Sequence, residues 1–84
     1  MSVHAKQMQA AFSKVALYHP KGASALDVDA KDPAPYARAL ERLAGQGLVR
    51  STGFKAKQGK KDFLMYRLTP KGEALIPHTP TRQT

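Results

Sequence analysis

Apolar residues recur along this chain at two different spacings, and the change from one to the other divides it. From Val3 to Tyr18, Met8, Ala11, Phe12, Val15 and Ala16 return every three or four residues, while Lys6, Gln7, Gln9, Ser13 and Lys14 fill the other side. That period predicts a first amphipathic helix. His19-Pro20-Lys21-Gly22 ends it, because a residue before proline is pushed out of the α region and a glycine can turn the chain. In Ala23 to Lys31, Ser24 is a capping residue type for a short second helix holding Ala25, Leu26 and Val28. Asp29-Ala30-Lys31-Asp32 reads equally well as an irregular turn. Asp27 and Asp29 sit two apart, off a common helix face, and read as solvated charges.

The stretch from Asp32 to Arg50 organises the rest. Asp32-Pro33 is a helix start, since a carboxylate accepts an orphan backbone N–H and proline at the first helical position has none to waste. Tyr36, Ala39, Leu40 and Leu43 form the inward stripe, which leaves Ala34, Arg38, Glu41 and Gly45 pointing to solvent, with Pro35 and Arg42 flanking them. Gly45 and Gly47 close the helix. The free N–H groups at its start also offer a positive dipole end to a phosphate.

Beyond Gly47 the period falls to two. Leu48 to Phe54 and Asp62 to Thr69 have strand composition and bracket KAKQGKK, a polar segment containing Gly59 and four lysines: Lys55, Lys57, Lys60 and Lys61. The pattern predicts a hairpin with a basic tip. In its second strand Leu64, Tyr66 and Leu68 alternate with Phe63, Met65 and Arg67, so one face belongs to the core. Phe63 and Met65 cap the sheet edge, cover the first helix or meet a second subunit. Thr69-Pro70 repeats the helix-start signal, with Glu73 in the first turns and Ala74-Leu75-Ile76 as the buried side, until Pro77 stops it. Residues 77–84, HTPTRQT after the proline, hold no apolar anchor and are expected to be a disordered tail to a 1–76 domain.

Charge changes this picture from a small fold to a binding protein. Fourteen Lys and Arg against six Asp and Glu give a formal charge of +8, which attracts polyanions, and nucleic acid is the commonest inside a cell. No cysteine occurs, so disulfides and thiolate metal sites are excluded, and His4 and His19 have no partner at ligand spacing. No cofactor is expected. No phosphate-cradling glycine run and no nucleophile, base and acid set is visible, so an enzyme is not expected either; the glycines Gly45, Gly47, Gly53, Gly59 and Gly72 sit at element ends. The N-terminus lacks an apolar run long enough for a signal peptide or a membrane span, which places the protein in the cytoplasm and away from the membrane.

The order helix, short helix, helix, strand, basic loop, strand, short helix is that of an α+β winged helix-turn-helix: a three-helix cluster, a two-stranded β wing and a short C-terminal helix. The run YARALERLAGQGLVR from Tyr36 to Arg50, with YRLTPKGEAL from Tyr66 to Leu75, resembles the DNA-binding core of MarR and PadR type transcriptional regulators. Those proteins carry an arginine and leucines along the recognition helix, G-L-V/I leading into the wing and L-T-x-x-G leading out. The likeness covers residues 22 to 76 and implies that Ala34, Pro35, Arg38 and Arg42 fall where the family touches bases and phosphates. It also sets Lys55, Lys57, Lys60 and Lys61 on a wing along the minor groove or backbone, and Lys31 and Arg50 complete the expected DNA-binding set. The second helix departs from the family's E-L-A-x-x-L register, and the long dimerisation helices of MarR proteins have no counterpart here. The resemblance implies a small transcriptional regulator, a homodimer on an inverted repeat of double-stranded DNA; winged helices also serve as protein- or RNA-binding adaptors.

Overall fold

The computed structural model describes residues 3–76, which run α1 (Val3–Leu17), α2 (Ala25–Val28), α3 (Ala34–Gly45), β1 (Val49–Gln58), β2 (Lys61–Leu68) and α4 (Pro70–Ala74). The expected tail, 77–84, lies outside the described residues. The architecture is α+β: α1 packs on α3, α2 bridges them, and the antiparallel β1–β2 sheet closes the third side.

The apolar stripes meet where their spacing requires. Ala11 and Val15 of α1, Ala39, Leu40 and Leu43 of α3, and Val49, Tyr66 and Leu68 of the sheet are buried with Ala23 and Ala25. Four alanines among these ten let the elements approach closely, and of the six bulkier side chains Leu40 and Val15 are wholly enclosed. Ala23 adds a single antiparallel bridge to the sheet: its N–H donates to the Tyr66 carbonyl and its carbonyl accepts from Tyr66 N–H, both at 2.8 Å.

Several local readings are corrected. Asp27 is exposed, as a solvated charge would be, but it also has a structural role: its Oδ2 accepts from the Ser24 N–H at 2.8 Å while Ser24 Oγ accepts from Leu26 N–H, a reciprocal box that caps α2. Asp29 Oδ1 accepts from the N–H groups of Lys31 and Asp32, so Asp29 shapes the turn into α3. Asp32 does not cap α3, because Pro35 offers no N–H and the amides of Tyr36 and Ala37 donate to the Pro33 carbonyl. The helix begins at Ala34, with Pro33 buried at the capping position and no side-chain cap. At its other end the left-handed residue is Gly47 (φ 79°), and Gly45 stays helical.

The seven-residue polar segment is not a loop either. β1 continues through Lys55–Gln58 and β2 begins at Lys61, leaving only Gly59-Lys60 as the turn. The pairs Lys55 with Leu64, Ala56 with Phe63, Lys57 with Asp62 and Gln58 with Lys61 form because alternation and a tight turn carry the ladder outward even where the side chains are charged. In β2, Tyr66 and Leu68 are buried, but Leu64 is 39% exposed and Phe63 packs against the core instead.

In α4, Thr69 caps as expected, its Oγ1 accepting from Gly72 N–H at 3.0 Å. Ala74 and Leu75 are exposed, however, and only Ile76 of the expected trio packs on the core. The buried residue of that helix is Gly72.

Burial raises the Tyr66 hydroxyl above its ordinary pKa of 10.0, and the Glu41 charge adds to the effect. The folded chain therefore holds that proton more tightly than the unfolded one. The stabilisation is whole below about pH 10 and is lost as pH rises through the folded value. Urea unfolding followed across that range should show stability falling, and Tyr66→Phe should remove the part of the fall that this hydroxyl causes.

Candidate nucleic-acid interface

The inward stripe of α3 fixes what the helix shows outside. With Ala39, Leu40 and Leu43 buried, Ala34, Arg38, Glu41 and Arg42 are exposed, and Pro35 is half-buried on the first turn. Arg38 makes no ion pair among the described residues, neither with Asp32 nor with Glu41.

The start of α3 carries less of the expected phosphate-binding capacity. Pro33 and Pro35 have no N–H, and the amides of Tyr36 and Ala37 both donate to the Pro33 carbonyl, at 3.0 and 2.9 Å. Among the described residues this leaves Ala34 as the free amide there, so attraction for an anion at this end rests on side chains.

Those side chains converge because the hairpin folds back towards the helix. Gln58 Nε2 donates to the Ala30 carbonyl at 2.7 Å, tying the distal end of β1 to the α2–α3 turn. Cross-strand partners share a face of a sheet and neighbours along a strand do not. Ala56, Gln58, Lys61 and Phe63 accordingly lie on one face, and Lys55, Lys57, Asp62 and Leu64 on the other. Residues of both faces border α3: Gln58, Lys61 and Phe63 near Ala34 and Arg38, and Asp62 and Leu64 near Ala37 and Glu41. Lys31, Ala34, Arg38, Gln58, Lys61 and Phe63 line a single groove with Pro33 and Ala37 at its floor, and Asp32 is the one carboxylate in it against three cations.

The expected set is thus divided. Lys31, Ala34, Arg38 and Lys61 come together; Pro35 and Arg42 lie on the same helix beside them; Lys60 sits in the turn at the tip; Lys55 and Lys57 share the hairpin face opposite to that of Lys61 and do not line the groove. Arg50 does not join this groove at all. It lies at the base of the hairpin, directly opposite Arg67 on β2. Gln58 and Phe63 belong to the groove and were absent from the expected set. Their signal was the alternation in Lys55–Gln58, which only has meaning once that segment is a strand.

Three of the six acids are occupied elsewhere: Asp27 and Asp29 in the cap and turn, and Glu73 with His19, whose Nε2 lies 2.8 Å from Glu73 Oε2. Most of the lysines and arginines among the described residues are exposed, which is the electrostatic condition for polyanion binding. No helix among the described residues is long and apolar enough to cross a membrane. Comparison of the chain with protein-family models, with curated proteins and with solved structures returns no match.

Proposed function

We propose that this chain is a winged helix-turn-helix that binds double-stranded DNA as a small transcriptional regulator, with α3 as the recognition helix and the β1–β2 hairpin as the wing. The observation that carries the reading is the groove in which Arg38 and Lys31 from the helix side meet Lys61 from the hairpin side. A helix fits the major groove of B-form DNA, and Arg38 stands where its guanidinium can fork onto guanine O6 and N7. Ala34, one turn earlier and equally exposed, suits contact with a thymine methyl. Lys31 and Lys61 act as point charges on flanking phosphates, as do Lys60 at the tip and Lys55 and Lys57 on the opposite face of the hairpin.

Two copies on an inverted repeat double the contacts that one small domain can make. Phe63 and Met65 are half-buried within the chain, which favours the α1–α4 end for the dimer contact, where Leu17 stays exposed beside Ala16 and Ile76.

Selection of bound sites from a random duplex pool, followed by salt titration, tests the proposal. Wild type should select an inverted repeat, and log K should fall with log salt at a slope of about −4 to −5 if four to six cations meet phosphates. Arg38→Ala should weaken preference at one base pair by about 1 to 3 kcal/mol, whereas Lys60→Gln with Lys61→Gln should lower affinity for all duplexes alike. Tighter binding to structured RNA than to any duplex, or no selected sequence, would refute it.

A further inference from the structure

A second cationic surface lies at the other end of the hairpin. Val49 and Leu68, paired across the strands, are buried, so their neighbours Arg50 and Arg67, also paired, point out of the opposite face of the sheet. Like charges directly opposite each other weaken a sheet. Here the repulsion has no counter-charge: Lys21 lines the same depression, and none of the residues lining it is acidic.

The backbone between these arginines and the tip is also unusual. From Ser51 opposite Tyr66 to Lys55 opposite Leu64, β1 spends three residues, Thr52 to Phe54, against Met65 alone. That bulge turns the Ser51 and Thr52 hydroxyls into acceptors for the N–H groups of Gly53 and Phe54, each at 3.2 Å. Each hydroxyl keeps its own proton for an outside acceptor. The bulge also pushes Phe54 outward, where its ring is 72% exposed at the rim of the depression.

We propose that this surface is a separate binding site for single-stranded nucleic acid. One backbone phosphate sits among Arg50, Arg67 and Lys21 with the hydroxyl protons of Ser51 and Thr52, and the adjoining base stacks on Phe54. Cations and hydroxyls alone would serve any phosphate, a duplex included. The ring decides the class, because duplex bases are already stacked on each other, while an unpaired base offers its face to an aromatic side chain. The site shares no residue with the groove between α3 and the hairpin tip, and it stands whether or not that groove reads duplex DNA.

Fluorescence anisotropy of labelled oligothymidylate and oligouridylate, each beside a duplex, tests it on the full chain. Phe54→Ala should weaken binding to the single strands about 5- to 100-fold. Arg67→Gln should make the salt slope for single strands shallower by about 0.7. Neither should alter duplex binding beyond the loss of one phosphate contact, and Arg38→Ala should leave the single-strand affinities unchanged. A preference for oligouridylate or oligothymidylate assigns RNA or DNA. Both positions are exposed, so in thermal melts at moderate salt Phe54→Ala should match wild type and Arg67→Gln should melt no lower than it. Wild-type binding to neither oligonucleotide, or Phe54→Ala and Arg67→Gln binding them as wild type does, overturns the proposal. Loss of duplex selection alone would overturn the reading of the α3 groove and leave this one intact.

Discussion

Gly72→Ala should destabilise the protein by about 3 kcal/mol or more, through a single added methyl group. The first turn of α4 lies flat on the chain between α3 and β1. Thr69 N–H donates to the Leu48 carbonyl at 3.1 Å, Thr69 Oγ1 donates to the Gly47 carbonyl at 2.5 Å, and Lys71 Nζ donates to the Gln46 carbonyl at 3.1 Å. These bonds hold Gly72 so close that a Cβ there would overlap the Leu48 carbonyl oxygen and press on its carbon. The obstacle is backbone on both sides, so no side-chain rotation relieves it. To fit the methyl group, α4 must lift, and the hydrogen bonds at Gln46, Gly47 and Leu48 go with it. Gly45→Ala supplies the contrast: nothing lies within 4 Å of a Cβ there and the backbone is helical, so that substitution should stabilise by about 0.5 to 1 kcal/mol. Urea unfolding followed by circular dichroism measures both. Equal stability of Gly72→Ala and wild type would mean that α4 is not seated as described.

Leu40→Ala should cost about 2 to 5 kcal/mol, measured by the same unfolding curves. Leu40 is the largest side chain with no exposure, and four of the nine other residues of the buried core are alanines, with short side chains that cannot swing in to fill the space it leaves. The residual cavity therefore stays open, and the upper half of the range applies. A chain of this length has a total stability of roughly 4 to 13 kcal/mol, so the variant should be partly unfolded at moderate temperature. Leu75→Ala removes the same atoms from a position that is 60% exposed and should change stability by less than about 0.5 kcal/mol. A similar cost at both sites would contradict the core described for this fold.

The contrast between these two leucines also shows where reading the chain succeeds. Leu40 falls on a stripe repeated over three turns, and one long helix has one way to bury such a stripe. Leu75 follows a five-residue helix, too short for periodicity to define a face, and what seats that helix is a glycine against a carbonyl 24 positions away. A residue without a side chain carries no pattern. The acids behave similarly. Asp27 and Asp29 look alike along the chain, yet one closes a cap and the other shapes a turn, and Asp32 loses its expected place because the amides at the start of α3 donate to the Pro33 carbonyl instead.

The interface divides along the same line. The outward position of Arg38 and the charge of the hairpin are local properties, readable from helical spacing and composition. Which lysine meets Arg38 depends on strand register. Placing the turn at Gly59-Lys60, with strand on either side, brings Lys61 into the groove and puts Lys55 and Lys57 on the opposite face of the hairpin. Arg50 and Arg67 stand 17 residues apart in the chain and become neighbours only across the ladder.

Along the chain alone, then, periodicity determined the two long helices, a hairpin and most of the buried stripe, because each of those follows from the spacing of side chains on one continuous element. Which polar groups are caps, which glycine is irreplaceable and which cations share a surface was decided by tertiary structure. Those facts depend on distances between segments that the backbone brings together only when the core closes.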